Sequence, residues 1–198
     1  KPKKPTKAEL AKAKKEAKLA KEKAEAEAKA KEEAAKRIFE MNSNSKIIGI
    51  FRNPVDRAYS NYNLAIRSKT EKLTFEEAID EEIGFLKKHS FRESIDNKRS
   101  YLAKGIYENQ IKIWFELFPR EQIHLLSTED MQENPEETLQ KAFRFLEIPD
   151  YIIKNPQKQK AAEYKKMNNE TREKLVDFYK QHNEKFFKSI QKKFDWDF

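Results

Sequence analysis

Residues 46–60 read KIIGIFRNPVDRAYS, and the fold is decided there. Lys46–Phe51 places four apolar residues and one Gly in six positions. A continuous apolar run of this length predicts a strand buried on both faces, as in a parallel sheet. Asn53 is a good helix N-cap and Pro54 suits the first helical position, so a helix is expected from Pro54 to about Arg67. In open α/β sheets ligands sit past the carboxyl ends of strands, beside a helix N-terminus. Arg52 ends the strand and Ser60 lies two helical turns on. A guanidinium, free N–H groups and a hydroxyl aimed at one point suit a phosphate. The alternative is an ion pair of Arg52 with a carboxylate such as Asp56, with Ser60 merely packed; spacing alone leaves both open.

The same alternation continues outward. Thr74–Leu86 opens with Thr and carries Glu three residues later, the pattern of a capping box and a short helix. Lys87–Arg99 is polar and reads as a loop. Tyr101–Phe118 is helical from about Gly105, with Ile106, Ile113, Trp114 and Leu117 as its apolar face. Gln122–Ser127 is a second strand. Pro135–Leu146 follows as a helix with Glu137 in the capping-box place, and Asn169–Lys188 as the last long helix before an aromatic tail, FDWDF. Strands alternating with helices define an α/β class with a parallel sheet. Two strands are few for such a sheet, since three or more are usually needed for independent stability.

Charge is distributed unevenly. Residues 1–36 hold 13 Lys and 7 Glu, a net of +6 within a chain total of +8. Built almost wholly from Ala, Lys and Glu, positions 7–36 predict a solvated helix about 45 Å long at the usual rise per residue. With only an Ala seam it offers little area for a coiled-coil partner. Residues 1–36 are thus expected to be a helical arm or linker, and 37–198 a folded domain. Ile38, Phe39 and Met41 are expected to anchor the arm on the core. The arm has no aromatic interleaving, so nucleic acid ranks last among partners. The absence of Cys excludes disulfides and thiolate zinc sites, and no metal site is expected. No apolar run spans a membrane, and a cytoplasmic location is expected.

RNPVDRAYSNY resembles the 3′-phosphate-binding motif of sulfotransferases that use 3′-phosphoadenosine 5′-phosphosulfate (PAPS). KGIYENQIKIWFELFPREQIHLLSTEDMQENPEETLQKAFRFLEIP and MNNETREKLVDFYKQHNEKFFKSIQKKFDWDF are similar to later family segments, in the same order, particularly in the heparan-sulfate-like and bacterial members. The resemblance covers about Arg37–Phe198. It implies a P-loop-like parallel sheet flanked by helices. It also implies PAPS as co-substrate, 3′-phosphoadenosine 5′-phosphate (PAP) as product, and Arg52 and Ser60 as holders of the 3′-phosphate. A basic loop matching Lys154–Tyr164 would close over the nucleotide, with Lys158 and Lys160 as candidate contacts; solvated lysines are the alternative. Tyr107 and Trp114 match family positions, though a helical apolar face reads as core.

The family also begins with a strand and a Gly- and Lys-containing loop that cradles the 5′-phosphosulfate, where close backbone approach requires Gly. The chain's three Gly are at 49, 84 and 105, and none precedes Arg52 in a strand–loop–helix setting. The sheet is therefore expected to be incomplete, with the 3′-phosphate half of the nucleotide site retained and the chain alone inactive. No catalytic base is evident. His89, His124 and His182 all follow the motif, and a solvated Glu of the arm keeps an ordinary pKa. In the complete enzyme the implied reaction moves a sulfuryl group from PAPS to a hydroxyl or amine, on a glycan, a lipid or a small alcohol. The alternative is a non-catalytic binding module with the arm as its partner element.

Overall fold

A computed structural model describes residues 18, 34–95, 97, 99–151 and 164–196. Lys18 is helical and exposed; the rest of the expected arm helix up to residue 33, and Lys158 and Lys160, lie outside the described residues. Helix α1 covers 34–41, with Ala35 buried and Phe39 meeting Phe118 edge-on at 5.3 Å between ring centroids. Met41, expected as an anchor, is 86% exposed, and Ile38 is 38% exposed. Phe39 points inward where its neighbours point to solvent.

Strand β1 (Ile47–Phe51) pairs in parallel with β2 (Ile123–Ser127), Ile47 opposite Ile123 and Phe51 opposite Ser127. Between them run α2 (Pro54–Arg67), α3 (Phe75–Leu86), α4 (Phe91–Ile95) and α5 (Glu108–Leu117). After β2 come α6 (Thr128–Glu133), α7 (Pro135–Leu146) and α8 (Asn169–Ile190). The α/β class and the parallel pairing follow expectation.

Local chemistry explains most boundaries. Asn53 Oδ1 accepts from the Val55 N–H at 3.0 Å, with Pro54 at the first helical position of α2. Thr74 and Glu77 form a reciprocal capping box that starts α3. Lys87–Arg99, expected to be a loop, contains α4: Ser90 and Glu93 exchange the same pair of bonds, Ser90 N to Glu93 Oε2 at 2.9 Å and Glu93 N to Ser90 Oγ at 3.3 Å. A Ser with Glu three residues on was the missed signal. At α7 the expected box does not form; Asn134 makes no side-chain cap bond, and Glu137 pairs with Lys141. The chain at Ala103–Gly105 is a tight 3₁₀ turn, so α5 starts at Glu108 rather than Gly105. Its inward face accordingly holds Tyr107, Ile111 and Phe118 together with the expected Trp114; of the other expected residues Ile106 is buried, while Ile113 and Leu117 are half-buried.

Two apolar clusters share α8, which buries Leu175, Tyr179, Phe186 and Ile190 at helical spacing. One gathers Val55, Ala58, Phe75, Ile79 and Leu102 around Tyr179. The other packs Tyr107, Phe186, Phe194 and Trp196 against Phe51 of β1 and Leu125 of β2. Burial of β1 on both faces is not observed. Phe51 is covered by Tyr107 and Phe186, at 5.0 and 4.9 Å between centroids, whereas Ile48 and Ile50 on the opposite face are 37% and 59% exposed. On that face α7 shields β2, where Phe145 stacks on His124, and among the described residues no helix covers Ile50.

Candidate functional site

The carboxyl end of β1 turns sharply at Arg52-Asn53-Pro54, and three bonds fix the turn. The Tyr107 phenol donates to the Arg52 carbonyl at 2.9 Å. The Asn53 N–H donates to Glu129 Oε1 at 2.8 Å, and Glu129 Oε2 accepts from Trp196 Nε1 at 3.1 Å. Burial, opposed by the nearby Arg57 and by the Arg52 carbonyl, pushes the Tyr107 phenol up to about 12, so it stays a donor at any working pH. The aromatic tail and α5 thus hold the corner from which Arg52 projects.

Beside that corner lies a cleft of about 330 Å³. One flank of α2 lines it with Arg57, Ser60, Asn61, Leu64 and Arg67, positions three or four apart and hence on one helical face. Arg52 enters from the strand end and Lys104 from the 3₁₀ turn. The lining carries four cationic side chains and, among the described residues, no carboxylate. Asp56, the alternative partner for Arg52, binds Arg172 of α8 instead, Nη1 to Oδ1 at 2.8 Å. The arrangement fits a phosphate, whose charge needs several cations and an O–H or N–H donor at close range.

The two nucleotide residues expected from the sequence, Arg52 and Ser60, line this one cleft. The helix N-terminus contributes less than expected. Pro54 has no N–H and the Val55 N–H is already bonded to Asn53, so the positive charge comes from side chains along the flank of α2. Arg57, Arg67 and Lys104 were not anticipated; for the first two the signal was the helical spacing with Ser60. Tyr107 proves to be both core and support for Arg52, while Trp114 stacks on Phe118 as core.

The histidines are elsewhere. His89 stacks on Phe85, and His182 lies 3.2 Å from Glu108. His124 stacks on Phe145, and its buried Nε2 has no partner among the described residues. Burial, then the nearby Lys192 and Lys141, lowers its pKa. Among the described residues the lining carries neither His nor carboxylate, so these side chains can bind and orient an anion but supply no general base. Among the described residues no cluster of His, Asp and Glu is placed to hold a metal ion, and no helix is long and apolar enough to cross a membrane.

The described residues thus form a parallel α/β unit with a cationic cleft past a strand end, opened by Arg-Asn-Pro and flanked by a Ser on the next helix. The family model of the sulfotransferase domain matches residues 9–198, and the chain belongs to that PAPS-dependent family. It is 33% identical over 95 residues to the membrane-associated sulfotransferase kil1 of Dictyostelium discoideum, covering 48% of this chain and 20% of that protein. It is 25% identical over 189 residues to human heparan sulfate glucosamine 3-O-sulfotransferase 3B1, covering 83% and 47%. Among solved structures, the sulfotransferase from Alicyclobacillus acidocaldarius superposes with a TM-score of 0.65 at 25% identity, over 81% of this chain and 60% of that one. The chain spans less than half the length of these curated relatives.

Proposed function

We propose that this chain supplies the 3′-phosphate half of a PAPS site, with Arg52 and Ser60 as the gripping residues, in a transfer of the sulfuryl group to an acceptor hydroxyl or amine. The observation that carries this reading is the cleft shared by Arg52 and Ser60, lined among the described residues by no carboxylate, with Arg57 and Arg67 on the same flank. A guanidinium such as that of Arg52 can take a two-pronged hold on phosphate oxygens, and Ser60 would add a neutral donor. Relatives that are heparan sulfate glucosamine 3-O-sulfotransferases make a glycan hydroxyl the acceptor class to test first.

Transfer also needs the sulfate held and the acceptor deprotonated. Among the described residues the cleft supplies neither, so residues 1–198 by themselves are expected to bind the nucleotide without turning it over. Calorimetric titration with PAP is the test. Binding that is lost in Arg52→Ala supports the reading; equal binding by wild type and Arg52→Ala, or none by wild type at millimolar PAP, rejects it. The open face at Ile48 and Ile50 favours a second reading, a binding module that docks another polypeptide. That reading gains if PAP fails to bind.

A further inference from the structure

Lys104 is the one exposed residue in the stretch 101–107; Tyr101, Leu102, Ala103, Gly105, Ile106 and Tyr107 are all buried. An exposed lysine normally wanders, because its stem carries about 2 kcal/mol of rotamer entropy. Here the backbone beneath it is tied at nearly every polar group. The Tyr101 carbonyl accepts from Arg57 Nη2. The Leu102 N–H donates to both oxygens of Glu82 at 2.8 Å, and the Ala103 N–H to Glu82 Oε1 at 2.8 Å. The Leu102 carbonyl accepts from the Tyr179 phenol at 2.8 Å, and the Lys104 carbonyl from Gln110 Nε2 at 3.0 Å. Gly105 completes the seat. A Cβ there would lie 2.6 Å from Tyr179 Oη and 3.0 Å from Pro54 Cβ, with Tyr179 wholly buried and unable to yield.

Glu82 is the unusual member. It is 2% exposed, and burying a carboxylate is costly unless something specific is gained. It is spent on two consecutive backbone N–H groups of a turn that would otherwise leave them unpaired. The residue that follows is the lysine on the cleft. Arg57 links the two parts: it lines the cleft and holds the turn by the Tyr101 carbonyl.

We infer that Lys104 is a third ligand, and a second cationic one, of the anion held by Arg52 and Ser60, and that Glu82 is a positioning residue that fixes the 102–104 backbone so that Lys104 faces the cleft. The inference rests on the 3′-phosphate reading above and adds two residues to it. It states more than general stabilisation, because it ties Glu82 to one phosphate of the ligand.

The test uses the 198-residue chain titrated with PAP and with 5′-AMP, which lacks the 3′-phosphate. A charge-assisted bond at a partly exposed site predicts about a tenfold loss of PAP affinity in Lys104→Ala, with 5′-AMP unchanged and Lys104→Arg largely restored. Glu82→Gln keeps the shape and removes the charge. It is expected to weaken PAP several-fold in the wild-type background and to add nothing in the Lys104→Ala background, the non-additivity of residues acting as a unit. Lys104 is on the surface, so its variants test the ligand role even if Glu82→Gln folds poorly. Loss of PAP binding in Arg52→Ala with none in Lys104→Ala overturns the inference and leaves the reading of the site standing. Indifference of PAP to Arg52→Ala removes both. Equal effects of Glu82→Gln in the two backgrounds reduce Glu82 to a structural residue and overturn the positioning role.

Discussion

The buried Glu82 carboxyl couples folding to pH. Burial raises its pKa to about 7, against the opposing pull of the Ala103 and Leu102 N–H groups and of the nearby Arg57. The folded state therefore holds this proton more tightly than the unfolded state. Its stability contribution is complete below the unfolded pKa and is lost as pH rises to about 7, a swing of roughly 3 kcal/mol. His124 works the other way in the same window. Its lowered pKa makes stability rise with pH up to the ordinary His value. The decisive measurement is thus urea unfolding of wild type against Glu82→Gln at pH 5 and pH 7.5; the wild type should lose stability relative to the variant at the higher pH. Tyr107→Phe should lower stability by about 1 kcal/mol, since it leaves the partly buried Arg52 carbonyl without its donor, and a denaturant midpoint reads this directly. Neither residue's role was legible in the sequence. Tyr107 looked like one more aromatic on an apolar face, and Glu82 like one more acid in an acidic helix, because their partners lie 55 and 20 residues away.

Among elements, those written in local chemistry were the readable ones. α2 and α7 begin and end where Asn-Pro and the apolar spacing place them, and α3 starts at its capping box. Thr74→Ala should cost about 1 kcal/mol by removing that box, measured by thermal unfolding. In the same helix Gly84 has open space around the position of a Cβ, so Gly84→Ala should raise stability by about 0.5–1 kcal/mol and the melting temperature with it. Elements set by distant contacts were harder to read. The start of α5 is delayed by the turn at Ala103–Gly105, and that turn is shaped by Glu82 and Tyr179, which no local pattern announces. Likewise β1 read as doubly buried because Ile48 and Ile50 are apolar, and its sequence cannot say whether a neighbour is present to cover them.

In the molecule as a whole, α8 is the axis on which both apolar clusters meet, and the cleft runs along one flank of α2, between the end of β1 and the turn at Lys104. The family segments were recognisable because their order survives along the chain, whereas the cleft needed the fold to bring Lys104 beside Arg52. The bare flank of the sheet has a consequence for handling the protein. Ile48 and Ile50 lie side by side on a two-stranded sheet whose outer strand edges have no partner strand among the described residues, a template for copies to adhere. A net charge of +8 keeps copies apart only while it is felt over several ångströms, and the screening length falls from about 10 Å at 0.1 M salt to about 3 Å at 1 M. Colloidal behaviour should therefore run opposite to that of many basic proteins freed of bound polyanions by salt. Light scattering should report single chains at low ionic strength and growing particles as sodium chloride is added, and Ile50→Lys should abolish the growth.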